Sequence, residues 1–188
     1  MERHTISFPR SEFWAFSLAV YARPGIPAAC LELQERHGAD VNLVLAALWA
    51  AYSGLGRLDA ADWERLEGVV GAFHREVVRP LRTARRALKP IGETTTAAAA
   101  PAGSIRLVVK AAELDAEHLE QIMIEADLNA GRAAGNAGAA GAADPDATAR
   151  RNVLAYLTWL GRLSDSRDEA AIGALVNGGR SVADSRAD

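Results

Sequence analysis

One run constrains the fold of this chain more than any other. Around residues 41–53 it reads Val41-Asn42-Leu43-Val44-Leu45-Ala46-Ala47-Leu48-Trp49, apolar on nearly every side at helical spacing. A helix with no polar face is stable in water only when neighbours surround it. This segment is therefore expected to be the central helix of a bundle, opened by Asp40 as its N-cap. The chain around it supplies candidate neighbours. Ser11 can cap a helix over about 12–22, whose Phe13, Trp14, Phe16, Leu18, Val20 and Tyr21 form an apolar surface broad enough to be covered on both sides. Pro27 suits the first turn of a second helix ending near His37, with Cys30, Leu31 and Leu33 toward the core and Gly38 as its left-handed terminator.

Asp59 caps a fourth helix, with Trp63, Leu66, Val69, Val70 and Phe73 at helical spacing. The pattern continues through Val77, Val78, Leu81 and Leu88. Pro80 must kink this segment or start a new helix, because it lacks an N–H and crowds the preceding turn. Residues 90–104 read as a linker. A helix over 105–128 follows, with Leu107, Val108, Ala111, Leu114, Leu119, Ile122 and Met123 inward and Glu113, Asp115, Glu117, Glu120, Glu125 and Asp127 outward. The Gly/Ala-rich run 129–148 reads as a flexible insert, 149–177 as a C-terminal helical pair (about 149–163 and 168–177), and 178–188 as a disordered tail.

Hydrophobic residues make up 49% of the 188, yet aromatics only 6%; the difference is largely alanine, the best helix former. Strand-like β-branched runs are scarce. The expected fold is all-α: a compact helical bundle over residues 10–90 with the 105–128 helix appended to it, together a 10–128 domain, followed by the flexible Gly/Ala-rich insert.

The first nine motif positions, Phe13-Trp14-x-Phe16-Ser17-Leu18-x-Val20-Tyr21, are followed by Ala29-Cys30-Leu31-x-Leu33-Gln34 and Gly38-x-Asp40-Val41-Asn42-Leu43. Together these resemble a family of small proteobacterial proteins carrying a domain of unknown function. The likeness extends through Val78-x-Pro80-Leu81-Arg82-x-x-Arg85 and Lys110-Ala111-Ala112-Glu113-Leu114, covering roughly residues 10–128. It implies no activity, cofactor or site residue.

Function must be sought in constellations of side chains. Residues 1–90 carry 12 basic and 10 acidic side chains, and 91–188 carry 9 and 14, so the two halves are oppositely biased. The basic excess concentrates in Arg75, Arg79, Arg82, Arg86 and Lys89, spaced by three and four into one helical ridge. Such a row can contact phosphates, which ask for charge more than for geometry. Charge runs are more often paired or solvated, so internal pairing with Glu113, Glu117 and Glu120 is the first expectation for the ridge, ahead of an acidic protein partner and of nucleic acid. His37 and Asp40, across the Gly38 turn, are the nearest approach to an acid–base pair for a small-molecule enzyme. Asp40 is otherwise a cap, and Asn42 a candidate for a bond to neighbouring loop backbone.

Cys30 reads as a buried core thiol without an activating neighbour. His4, His37, His74 and His118 show no metal-ligand spacing, and no cofactor or metal is expected. The four tryptophans are expected in the core, an exposed one marking an interface. With no secretory leader and no apolar run of membrane-spanning length, the chain is expected in the cytoplasm, away from membranes. The leading expectation is a non-enzymatic protein-interaction module working through a helical groove or the ridge. Nucleic-acid binding by the ridge comes second and an enzyme third, with homo-oligomers compatible with any of them.

Overall fold

A computed structural model describes residues 6–133, 144–162 and 165–187, and these are all-α. The local chemistry of the first half sets its helix ends. Helix α1 (Glu12–Tyr21) starts where Ser11 Oγ accepts the Trp14 N–H. Helix α2 (Ile26–His37) has Pro27 in its first turn and stops at Gly38, whose φ of 70° is costly for any side chain with a Cβ. Helix α3 (Val41–Tyr52) is capped by Asp40, which accepts the Asn42 N–H, and every residue from Asn42 to Ala51 is buried. α3 is the central helix, touching α1, α2, α6, α7 and α8. Helix α4 (Ala60–Phe73) opens with a reciprocal capping box between Asp59 and Asp62.

Pro80 resolves differently from a simple kink. Residues His74–Val78 form a π-helical turn between α4 and α5 (Arg79–Gly92), placing Pro80 in the first turn of α5, where its missing N–H is harmless. Pro90 lies inside α5, and helix α6 begins at Ala99 and runs to Ala133. The linker expected over 90–104 therefore shrinks to 93–98. The alanines of 97–100 were read as linker composition, but they are strong helix formers and Pro101 sits within the first turn of α6. Beyond α6, residues 134–143 of the expected insert lie outside the described residues. Its flanks, 129–133 and 145–148, are helical.

Helix α7 (Pro145–Trp159) packs on α3, and α8 (Ser166–Ala187) packs on α2. The tail expected to be disordered from 178 is thus a docked helix: Val182 is buried, and Gly178 and Gly179 sit against α2 and α3. A Cβ on Gly179 would lie 2.5 Å from the Tyr52 ring, and one on Gly178 2.6 Å from Ile26 Cδ1. The absence of a Cβ at these two positions is what allows the close approach.

The α2–α8 contact is latched by charge. Asp165 Oδ1 accepts the Arg167 and Asp168 N–H groups at the start of α8, and Asp168 Oδ2 accepts the Asp165 N–H in return. Arg36 bridges both carboxylates and His37 Nε2 lies 2.8 Å from Asp168 Oδ1. The Arg36 hydrogen bond and the Asp168 N–H hold the Asp165 carboxyl down at about 2. A carboxyl depressed below its unfolded value of about 3.9 stabilises the fold above that value, and the contribution is lost as pH falls through the folded one. The Arg167 and Asp168 amide resonances are therefore expected to shift and broaden between roughly pH 4 and pH 2, ahead of those in α3. A latch unchanged until global unfolding would contradict this.

Candidate functional site

Helix α1 carries two apolar faces, as the sequence suggests, but the structure covers only one of them. Phe13, Phe16 and Val20 enter the core, whereas Leu18 and Tyr21 remain 49% and 41% exposed. Leu31 of α2, expected inward, is 40% exposed, and Leu114 of α6 is 48% exposed. These side chains, with Trp14, Val41 and Leu45, line a groove of about 290 Å³ between α1, α2, α3, α5 and α6. Trp14 is fixed at its edge by stacking on His118, ring centroids 4.2 Å apart. Trp49 and Trp63 are core residues, while Trp14 and Trp159 are only partly buried.

The far wall of the groove is polar because α6 is rotated from its expected setting. Leu107 and Val108, predicted inward, are 65% and 70% exposed, while Glu113 and Glu120, predicted outward, are 5% and 0% exposed. Partners on the preceding elements compensate the buried acids. Arg82 Nε donates to Glu113 Oε1 at 3.0 Å and Arg82 Nη2 to Glu117 Oε1 at 2.6 Å; Arg85 also grips Glu113. Burial would raise the Glu113 carboxyl, but its bonds to Arg85 and Arg82 outweigh that and lower it. Glu117 is raised, burial prevailing over Arg82.

The predicted ridge is consequently divided. Arg82 faces the groove, Arg75 pairs with Glu67, and Lys89 lies 3.8 Å from Glu93. Arg79 and Arg86 make no ion pair among the described residues. Arg86 and Lys110, both exposed, line the groove without a carboxylate partner, so its four cations outnumber its two carboxylates. Two further groove residues have unsatisfied polar atoms. Ser17 Oγ (residue 3% exposed) and Gln121 Oε1 (2%) are buried with no hydrogen-bond partner.

Behind this wall lies a buried polar cluster. Gln121 Nε2 donates to Asn42 Oδ1 at 2.8 Å, and Asn42 Nδ2 donates to Glu120 Oε2 at 2.5 Å. Glu120 Oε1 and Asp40 Oδ2 lie 3.0 and 2.9 Å from the same atom, His74 Nδ1. The Tyr156 hydroxyl accepts the Asp40 N–H at 3.0 Å. Burial raises the Glu120 carboxyl, with the Asp40 charge adding to it. Burial would lower His74, but hydrogen bonds and charges from Asp40 and Glu120 win and raise it.

The predicted His37–Asp40 pairing is not formed. His37 turns to Asp168 and Asp40 to His74, because α8 and the π-helical turn reach each first. Asn42 bonds the side chains of Glu120 and Gln121 rather than loop backbone. Ser17, His74, Glu120 and Gln121 were not singled out as site residues; His74 and Glu120 come from elements 46 residues apart, which spacing rules do not register.

A second concavity, lined by Ile6, Phe8, Phe73, Val77, Leu107, Val108 and Leu119, is apolar, with Asp115 at its margin. Among the described residues, no helix is long and apolar enough to cross a membrane.

Residues 12–124 match the model of a family described as a protein of unknown function (DUF2390), and the chain belongs to that family. The matched span holds every groove residue and all of the polar cluster except Tyr156. No curated protein and no solved structure matches the chain.

Proposed function

We propose that this chain is a non-enzymatic interaction module whose groove captures the apolar C-terminal residue of a partner protein. One observation carries the reading: Ser17 Oγ and Gln121 Oε1, both buried and both unpartnered, lie in the wall of an apolar groove with surplus positive charge. Leaving such atoms unpaired costs about 1–3 kcal/mol each, an expense that a matching ligand removes. Gln121 Oε1 can only accept, so the occupant must bring a donor. Arg86 and Lys110 favour an acid, and Trp14, Leu18, Leu31 and Leu114 favour an apolar body. An apolar residue with its amide N–H and a free carboxylate combines all three within one unit. An N-acyl amino acid offers the same chemistry and is the second reading.

This reading is favoured over phosphate-backbone binding by the ridge, since three of the five ridge cations, Arg75, Arg82 and Lys89, already lie beside carboxylates. Fluorescence anisotropy with short peptides ending in Leu-Leu tests it. Peptides with a free carboxylate should bind, the C-terminal amides should bind at least about 10-fold more weakly, and the double variant Arg86→Glu/Lys110→Glu should show a similar loss. N-acetyl-leucine binding as well as the peptides would favour the second reading. Equal binding of acid and amide forms would end both.

A further inference from the structure

We infer that Asp40, His74 and Glu120 form a binding site for a divalent first-row transition metal ion such as zinc. The inference does not rest on the groove reading. Three donor atoms from three separate elements, the α3 N-cap, the π-helical turn and α6, converge within 4.8 Å of one another. Asp40 Oδ2 and Glu120 Oε1 are 2.9 and 3.0 Å from His74 Nδ1. Adjacent ligands held at about 2.0–2.2 Å from one ion are about 3.0–3.5 Å apart, from octahedral to tetrahedral geometry, so a small outward shift of these atoms would seat an ion.

With both carboxyls ionised, hydrogen bonding alone leaves this arrangement one donor short. Nδ1 carries at most one proton, yet faces two carboxylate oxygens at bonding distance, so only one of them can accept it fully. Two acidic side chains, one at 0% and one at 9% side-chain exposure, are thereby turned toward a single point. A divalent cation replacing that proton satisfies all three donors at once.

The outer arrangement supports the same conclusion. The second oxygen of each carboxylate is held by one residue: Asn42 N–H bonds Asp40 Oδ1, and Asn42 Nδ2 bonds Glu120 Oε2. This leaves Oδ2 and Oε1 free to point inward, as outer partners of metal-binding carboxylates do. His74 keeps 14% side-chain exposure, so the cluster is not wholly sealed from solvent. One imidazole and two carboxylates form a nitrogen–oxygen set suited to zinc, manganese, iron or cobalt rather than to thiolate-seeking copper(I).

Titration calorimetry of the full chain with zinc alone tests the site. One equivalent should bind with a dissociation constant in the micromolar range or tighter, and His74→Gln and Glu120→Gln should each weaken it at least about 100-fold while retaining the wild-type circular dichroism spectrum. X-ray absorption on the zinc-loaded wild type should show a nitrogen–oxygen shell with one imidazole, and this stands even if a variant does not fold. Absence of stoichiometric binding overturns the site. So does binding unchanged in folded variants, or a shell containing the Cys30 sulfur or several imidazoles.

Discussion

Asn152→Ala is expected to destabilise the chain by about 3–5 kcal/mol, a large share of the total stability of a domain this size. Asn152 is fully buried on α7, and its side chain ties down the connection between α3 and α4. Oδ1 accepts the Leu58 N–H at 2.9 Å, while Nδ2 donates to the Ala47 and Gly56 carbonyls, each at 3.1 Å. Removing the amide takes this partner from the Leu58 N–H and the Gly56 carbonyl in a site that excludes water, each worth about 1–3 kcal/mol when orphaned, while the Ala47 carbonyl keeps its place in the α3 ladder. Replacement by leucine separates this cause from a cavity effect. Asn152→Leu fills the space but satisfies neither the Leu58 N–H nor the Gly56 carbonyl, so it should be nearly as damaging. Urea denaturation reads both variants. A loss below about 1 kcal/mol for alanine, or rescue by leucine, would show that packing rather than backbone satisfaction governs the site.

Asp168→Ala should lower stability by about 3 kcal/mol, through a different mechanism. The Asp168 side chain is at 0% exposure and serves Arg36, His37 and the Asp165 N–H together. Arg36 retains Asp165 in the variant, which softens the loss. His37, at 8% side-chain exposure, and the Asp165 N–H keep no such substitute. The signature should be regional: α8 and the end of α2 lose hydrogen-exchange protection, while α4 keeps its own. Uniform loss across all helices would mean that α8 is not a separable element.

The parts of the fold written in local chemistry could be read directly from the residues. Ser11, Pro27, Gly38, Asp40 and Asp59 mark helix ends by capping or backbone conformation, and an all-apolar α3 can only be central. Helix α6 shows where that approach fails. Its acids at 113, 117 and 120 resemble a solvated face, and its leucines resemble a core face. The setting is reversed because Arg82, Arg85 and His74 arrive from the preceding elements and make burial of the acids tolerable. Pairing of the ridge with Glu113 and Glu117 could be considered from charge alone; the rotation that exposes Leu107 and Val108 could not.

The candidate site was legible only in fragments. Asp40 and Asn42 stood out by position, but their partners His74, Glu120 and Gln121 lie on elements brought together by tertiary packing. The polar composition of 178–188 suggested a frayed tail, although Gly178 and Gly179 let α8 press against Ile26 and Tyr52. Small residues signal disorder and close packing alike, and composition does not separate them.

The central claim is that the groove beside Trp14 is the binding surface. The most direct measurement titrates the ¹⁵N-labelled full chain with a peptide ending in Leu-Leu and a free carboxylate, following every amide and indole resonance. The account predicts saturable shifts centred on the Trp14 indole and the amides of Ser17, Leu31, Asn42 and Gln121. Shifts centred instead on Leu107, Val108 and Leu119, or no saturable shifts at all, would contradict it.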